Sequence, residues 1–155
     1  MDLSRIQGTK WRLVSYRKIS FCLIYKVNVS KCKDLDTLIC DNNALTNINV
    51  SNNYKLTRLE CRRNQLTELD VPYHSYLHQL YCSDNQIKIL DLTSLSGLEI
   101  LHCYNNELDA LYLGYYNSEL HDVRCQNNNL PLVDISCNPL LVSLYNNETL
   151  SDGYT

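Results

Sequence analysis

The chain has 155 residues and a mass of 18.0 kDa, and 45% of its residues are hydrophobic, which suits one globular domain or one short repeat array. Its four glycines lie far apart, and this excludes the clustered glycines of dinucleotide-binding folds and phosphate-binding loops. The net charge of −3 combines +7 over residues 1–33 (eight basic, one acidic) with −10 over residues 34–155 (six basic, sixteen acidic). The acidic part repels nucleic acid, so phosphate binding would depend on residues 1–33 alone.

The basic segment, residues 1–33, mixes lysine and arginine with aromatic residues. Its most apolar stretch, residues 19–25, is too short for a membrane span and lacks a small-residue cleavage site, so we expect neither a signal peptide nor a transmembrane segment. Ile24, Val27 and Val29 match the repeat described next, with Ile19 at its cysteine position, but Arg17 occupies an inward leucine position. One degenerate repeat is therefore expected, and residues 1–18 are read as a cap, a basic arm or the remnant of a longer array.

A regular repeat covers residues 34–139. Five cysteines recur at intervals of 21, 21, 21 and 22 residues, and an asparagine follows each cysteine by three positions. Leucine or valine precedes each cysteine by five and two positions, and apolar residues follow it by five, eight and ten. The cysteines are Cys40, Cys61, Cys82, Cys103 and Cys125, and the asparagines are Asn43, Asn64, Asn85, Asn106 and Asn128.

The alternation around each cysteine predicts a short strand with leucine and cysteine pointing inward. Stacking such strands in parallel every ~4.8 Å buries their apolar sides and leaves the other face of the sheet free. Each asparagine then lies where the chain leaves the strand, and its amide can bond otherwise unpaired backbone groups as an asparagine ladder. Little room remains for helix, so extended or 3₁₀ segments are expected on the convex side, around Val50, Val71, Leu92 and Ile135.

Irregularities mark the end of the array. The extra residue of the longest interval falls within residues 114–119, and we expect it in a convex loop. Residues 140–155 are predicted to form a degenerate closing coil, in which Leu141 and Leu144 keep leucine positions but Asn146 and Thr149 replace the cysteine and the asparagine.

The template resembles the leucine-rich-repeat family, L-x-x-L-x-L-x-x-N-x-L, with cysteine in the third leucine position. The resemblance covers residues 35 to about 135 and is strongest to the short 21-residue repeats of bacterial and some viral proteins, as in LTRLECRRNQLTELDV from Leu56 to Val71. It implies a β-rich solenoid, placed by fold class in the α/β superfamily, with a curved parallel sheet on its concave side. It also implies binding of other macromolecules, usually proteins, on that concave face.

The cysteines are interpreted as small buried hydrophobic residues. Stacking in register does not supply the dihedral angle of a disulfide, and one column of thiols does not surround a zinc ion. Inward reduced thiols favour a reducing compartment. We therefore expect the cytoplasm, or a host cytoplasm if the chain is a bacterial effector or a viral protein.

No catalytic or metal-binding set is evident. His78 and His121 share a column but lie two coils apart, roughly 10 Å, which is too far to share an ion. Asp41 and Glu60 are neighbours on the sheet, and most such pairs are merely solvated. The sequence therefore predicts no enzyme activity, no cofactor and no metal.

The residues that flank each cysteine are predicted to lie exposed on the concave face. They include Ile39, Asp41, Ser83 and Gln126, and four of the ten are tyrosine or arginine, which are enriched at many binding surfaces. The predicted partner-binding residues are Glu60, Arg62, Tyr81, His102, Tyr104 and Arg124. Tyr145 would add a ring on the closing coil. The resulting hypothesis is a monomeric, non-catalytic module that binds an unidentified partner protein.

Two other functions remain open at this point. Residues 1–33 could bind nucleic acid or an anionic membrane, or form the seam to another domain. Alternatively the chain is a secreted or surface adhesion fragment, in which case the glycosylation motifs at Asn28, Asn49 or Asn147 would carry glycans.

Overall fold

The computed structural model describes residues 10–12, 24–71, 76–114, 117–131, 133–141 and 143–145. This part of the chain contains short strands and turns and no helix, which confirms the predicted low helix content. The strands are β1 (Lys10–Arg12), β2 (Thr37–Ile39), β3 (Arg58–Glu60), β4 (Gln79–Tyr81), β5 (Ile89–Leu92), β6 (Ile100–His102), β7 (Ala110–Leu113), β8 (Asp122–Arg124) and β9 (Ser143–Tyr145).

Seven strands form one parallel sheet in the order β1-β2-β3-β4-β6-β8-β9. Their register places the inward leucine positions side by side along the row Leu38, Leu59, Leu80, Leu101, Val123 and Leu144. The parallel solenoid predicted from the repeat is confirmed, and the closing coil joins it through Leu144. We call the side of this sheet that points away from the core the concave face.

The core is a continuous stack of leucine and cysteine. All five cysteines of the repeat are fully buried, as are the leucines five positions before them. Leu113, Leu130 and Ile135 are half-buried and pack against this core. Each coil buries its apolar side chains only against neighbouring coils, as expected of a solenoid.

The repeated asparagines form the predicted ladder. Asn85 is typical: its Nδ2 donates to the carbonyl oxygens of Cys82 (2.9 Å) in its own coil and Cys61 (3.0 Å) in the preceding coil. Its Oδ1 accepts the backbone N–H of Leu66, also in the preceding coil, at 3.0 Å. The equivalent bonds recur at Asn64, Asn106 and Asn128. Each asparagine therefore connects two coils.

The convex side is extended, and no 3₁₀ turn occurs among the described residues. Strands β5 and β7 pair there in parallel, with Leu90 opposite Leu111 and Leu92 opposite Leu113. The predicted extended conformation is therefore a true strand at Leu92, whereas the segments around Val50, Val71 and Ile135 are irregular but also lie against the core.

A second asparagine position on the convex side was missed by the sequence reasoning. Asn53, Asn117 and Asn138 are buried, and their Nδ2 atoms donate to carbonyl oxygens of the preceding coil. Near the predicted insertion, Gly114 lies so close to the preceding coil that an added Cβ would lie 2.5 Å from the carbonyl oxygen of Thr93. Glycine is required there because the two backbones nearly touch.

The N-terminal coil differs in length from the others. Trp11 in β1 lies opposite Leu38, 27 residues away rather than the 21 of the regular repeat. Val27 and Val29 are buried and Ile24 packs against the core, which confirms these three template positions. Arg17, Ile19 and the rest of residues 13–23 lie outside the described residues. The strand of this coil is thus β1. In a regular coil the apolar residue equivalent to Ile24 follows the inward leucine of the strand by seven positions, whereas Ile24 follows Trp11 by 13, which is six more.

A left-handed backbone position precedes each ladder asparagine. Positive φ angles between 53° and 58° occur at Asn42, Arg63, Asp84, Asn105 and Asn127. Asparagine and aspartate tolerate this conformation because their short polar side chains can bond locally, whereas most other side chains are strained. Arg63 is the exception in this series.

Arg63→Asn is therefore expected to raise the free energy of unfolding by about 0.5–1 kcal/mol, because asparagine relieves left-handed strain. The substitution removes only a 3.7 Å surface contact between Arg63 Nε and Asp84 Oδ2, which contributes little. Urea denaturation checks this. Gln65→Asn, at an exposed neighbouring position without positive φ, should give no gain, and equal effects of the two variants would contradict the strain argument.

Candidate functional site

Short strands present three rows of side chains on the concave face. The residues three and one before the cysteine, and the residue directly after it, point away from the inward leucine and cysteine because strand side chains alternate. On β3 and its continuation these are Arg58, Glu60 and Arg62. The rows run along the solenoid axis, so side chains of neighbouring coils contact one another.

The structure places the six predicted partner-binding residues on this face with unequal exposure. Arg62, Tyr81, His102 and Tyr104 are half-buried, and Arg124 is exposed. The expectation that Glu60 is exposed is wrong: it is only 4% exposed. Ser83 is also buried, and its hydroxyl donates to the carbonyl oxygen of His102 at 3.1 Å.

Glu60 is buried because two arginines close over it. Arg58 donates from Nε to its Oε1 at 2.6 Å, and Arg62 pairs through Nη2 with its Oε2. Arg62 also binds Asp41, with its Nε 3.0 Å and its Nη2 2.9 Å from Oδ2. The carboxylate of Glu60 is thus neutralised inside the site rather than offered to a partner, and its role is to hold the two guanidinium groups.

Aromatic side chains continue this network along the sheet. The guanidinium carbons of Arg58 and Arg62 each lie 5.0 Å from the ring centroid of Tyr81, a cation–π distance. The Tyr81 ring meets His102 edge to face at 5.0 Å, and His102 lies 6.4 Å from the Tyr104 ring. These contacts span three successive coils, so the predicted aromatic residues do lie together.

His102 connects this aromatic row to the next charges. Its Nε2 lies 3.2 Å from Asp122 Oδ2, and Arg124 Nε lies 3.4 Å from Asp122 Oδ1. Asp122 therefore bridges the ring and the arginine. The predicted residues Tyr81, His102, Tyr104 and Arg124 form one connected surface.

Three members of this surface were missed because they lie three positions before the cysteine. Arg58 donates from Nη1 to Gln79 Oε1 at 2.7 Å, and Asp122 pairs with His102 and Arg124. Strand alternation could have identified these residues, because the alternation that exposes Tyr81 also exposes Gln79, two residues earlier. The prediction had considered only the residues adjacent to the cysteines.

Burial shifts the pKa values of two groups in this network. Burial raises the pKa of Asp41 and outweighs the opposing effect of Arg62. Burial likewise lowers the pKa of His102, with Arg124 and Arg62 acting in the same direction and Asp122 opposing them. His102 is therefore neutral at neutral pH.

The lowered pKa of His102 predicts a loss of stability on acidification. The unfolded chain takes up a proton at this histidine near pH 6.5 and the folded chain only at lower pH, so the free energy of unfolding falls as pH drops through this window. The slope of the free energy of unfolding against pH is set by the difference in bound protons between the unfolded and folded chains, which is less than one here. Urea denaturation between pH 7.5 and 5 should show it in the wild type and less in His102→Gln, and parallel curves would contradict it.

The cysteine row is chemically inert. Burial raises the pKa of Cys40, Cys61, Cys82 and Cys103 well above the usual range and that of Cys125 to about 11. All the described cysteines are free. Thiols that are buried and protonated react slowly in any compartment, so their free state does not require the cytoplasm.

The described residues include no cluster of three or more histidine, cysteine or acidic side chains that could hold a metal ion. His78 instead pairs its Nδ1 with the carbonyl oxygen of Gly97 at 2.8 Å, and His121 with that of Glu119 at 3.0 Å. Within the same part of the chain, no helix could cross a lipid bilayer.

Among solved structures, this chain is similar to the functional domain of InlJ from Listeria monocytogenes, described as including a cysteine ladder. The two share 32% sequence identity with a TM-score of 0.79, over 93% of this chain and 31% of that one. This agrees with the buried cysteine row and the parallel coils. This chain has the leucine-rich-repeat solenoid fold. No family model matches the sequence, and the comparison with curated proteins found no match.

This leucine-rich-repeat solenoid spans about a third of the length of the InlJ structure that it matches. The similarity extends over nearly all of this chain, so it covers the coils that carry the concave surface. A row of cysteines along the coils is thus a feature that this chain shares with the cysteine ladder described for that structure.

Proposed function

We propose that this leucine-rich-repeat protein is a non-catalytic interaction module that binds a partner protein on its concave face. The observation that supports this most is the connected row from Arg58 and Arg62 through Tyr81 and His102 to Tyr104. Aromatic rings and arginines held in place by neighbours lose little entropy on binding, and they are enriched at binding hot spots.

The charges of this face indicate the kind of contact it makes. Arg58, Arg62 and Arg124 balance Asp41, Glu60 and Asp122, so the described network carries no net charge. The partner is therefore bound mainly through aromatic packing and hydrogen bonds, and the dissociation constant depends weakly on salt.

An affinity experiment tests this function. Wild-type protein and the variant Tyr81→Ala/Tyr104→Ala/Arg124→Ala are used to capture proteins from cell lysate, and the dissociation constant of a captured partner is then measured with purified protein. The triple variant should weaken binding at least tenfold. The matched control, Tyr54→Ala/Tyr76→Ala, removes two exposed rings away from the concave face and should bind as the wild type does.

Circular dichroism and urea denaturation establish that each variant is folded. A purified partner whose dissociation constant is the same for the concave triple variant and the wild type would overturn the concave-face proposal. Binding that disappears on deletion of residues 1–33 and falls steeply with salt would instead favour the basic segment.

The proposed site of action is a reducing compartment such as the cytoplasm, where the module acts as a monomer. Cys137 is half-buried, whereas the other described cysteines are buried, so its thiol is the more accessible to oxidants, and a reducing compartment would keep it free. Mass spectrometry of the protein from its native source checks this, because glycans on Asn28, Asn49 or Asn147 would place it in a secretory pathway instead.

A further inference from the structure

The outward face of the β5–β7 sheet carries an exposed apolar pair. Exposure alternates along β5, so that Ile89 and Asp91 point outward while Leu90 and Leu92 are buried. Ile89 is 59% exposed and Tyr112 of β7 is 54% exposed. Because Asp91 pairs with Tyr112, Ile89 and Tyr112 are diagonal cross-strand neighbours, about 7–8 Å apart.

Acidic side chains surround this pair on the neighbouring coils. Glu68 and Asp70 occupy the repeat positions of Ile89 and Asp91 one coil earlier, and Asp134 occupies that of Tyr112 one coil later. All three are exposed. We call this surface the acidic flank, and it consists of Glu68, Asp70, Ile89, Asp91, Tyr112 and Asp134.

The charge of this region is strongly one-sided. The four corresponding segments, residues 65–71, 86–92, 107–113 and 129–135, hold six acidic residues and one lysine, a net charge of −5. Within the described part of the chain no ion pair neutralises these carboxylates, whereas each carboxylate of the concave network is paired with arginine. The acidic flank thus concentrates unpaired negative charge around exposed apolar side chains.

Two carboxylates of the acidic flank, those of Asp91 and Asp134, are held in place by hydrogen bonds that favour their ionised form. Asp91 Oδ1 accepts the backbone N–H (3.0 Å) and the hydroxyl (2.6 Å) of Thr93, and this lowers the pKa of Asp91. Bonds from Ser136 lower the pKa of Asp134 in the same way. Beside Glu68 and Asp70 lies an open depression of about 300 Å³, which is large enough for a side chain.

We propose that the acidic flank docks a cationic, amphipathic segment of a partner protein, in which lysine or arginine alternates with apolar side chains. An extended segment has the same two-residue alternation as the outward rows of β5 and β7. Its apolar side chains cover Ile89 and Tyr112, and its cations lie beside Asp70, Asp91 and Asp134. Charge complementarity selects a cationic segment and repels nucleic acid.

This surface is separate from the proposed concave site, so it can be tested with its own probe. Isothermal titration calorimetry of the full chain uses the acetylated, amidated peptide KVKYKVK and heptalysine, each at 50 and 300 mM NaCl. The mixed peptide should bind at least tenfold more tightly than heptalysine at the higher salt concentration, since apolar contacts are not screened.

Two variants separate charge from apolar contact. The variant Asp70→Asn/Asp91→Asn/Asp134→Asn should bind the mixed peptide at least tenfold more weakly at 50 mM NaCl. Asparagine preserves the local turn, because the side chains of Asn28 and Asn49 accept the same type of backbone hydrogen bond. The variant Ile89→Thr/Tyr112→Thr should bind the mixed peptide at least fivefold more weakly. If this double variant does not fold, Ile89→Thr alone is measured in its place. Asp122→Asn, which removes a carboxylate of the concave face, is the control and should bind the peptide as the wild type does.

Four results would overturn the proposal. Equal affinity for heptalysine and KVKYKVK, or no effect of the threonine variants, would show simple counterion attraction. Self-association in sedimentation equilibrium that the triple asparagine variant abolishes would show that a second copy covers the flank. Loss of peptide binding in Asp122→Asn would place the peptide on the concave face instead.

Discussion

Asn85→Ala is expected to lower the free energy of unfolding by about 2–4 kcal/mol. The substitution leaves the buried N–H of Leu66 without its acceptor, and it removes one of the two asparagine donors at each of the carbonyl oxygens of Cys61 and Cys82. A buried donor without a partner costs far more than a surface bond contributes. Urea denaturation followed by far-ultraviolet circular dichroism measures the change.

The matched control for Asn85→Ala is Asn47→Ala. Asn47 is exposed, and its Nδ2 makes only a 3.4 Å bond to Glu68, so its loss should change stability by less than about 0.5 kcal/mol. If the two asparagine variants lost similar amounts, the ladder bonds would not be the stabilising element.

Leu80→Ala is expected to lower the free energy of unfolding by about 2–5 kcal/mol. Leu80 is fully buried in β4, between Leu59 and Leu101 of the adjacent strands, so truncation leaves a cavity that neighbouring coils cannot fill without breaking register. Thermal or urea denaturation checks the loss. The comparison is Leu140→Ala, because Leu140 is 51% exposed, and its truncation should cost less than about 1 kcal/mol.

The effect of Leu80→Ala should also be visible in the local stability of the neighbouring coils. In a stack where each coil contacts only its neighbours, a cavity at Leu80 weakens the interfaces on both sides of β4. Hydrogen exchange of the amides of β3, β4 and β6 should accelerate more than that of β9. Uniform acceleration throughout the chain would show that the coils unfold as one unit.

Much of the fold could be predicted because the repeat places equivalent residues at equivalent positions. The spacing of cysteine and asparagine was sufficient to predict the parallel sheet, the buried row and the ladder bonds. Side chains that break the pattern were harder to predict. The position of β1 could not be predicted because its coil is longer than the repeat. The left-handed backbone at Arg63 could not be predicted because arginine rarely adopts that conformation.

The residues of the candidate site were predicted correctly where strand alternation alone determines which face a side chain occupies. Strand alternation correctly placed Tyr81, His102 and Tyr104 on one face. It could not show that Glu60 is buried, because that burial results from Arg58 and Arg62 closing over the carboxylate. Such side-chain packing depends on contacts between coils, which period and spacing do not specify.

The direction of the asparagine bonds has a consequence for synthesis on the ribosome. The N–H groups of Leu45, Leu66, Ile87 and Leu108 are each bonded by an asparagine that lies 19 or 20 residues further along the chain. A coil of the nascent chain therefore cannot satisfy its own backbone until the following coil has emerged. We therefore expect folding during translation to proceed one coil behind the exit of the polypeptide, with the newest coil completed only when the next asparagine arrives.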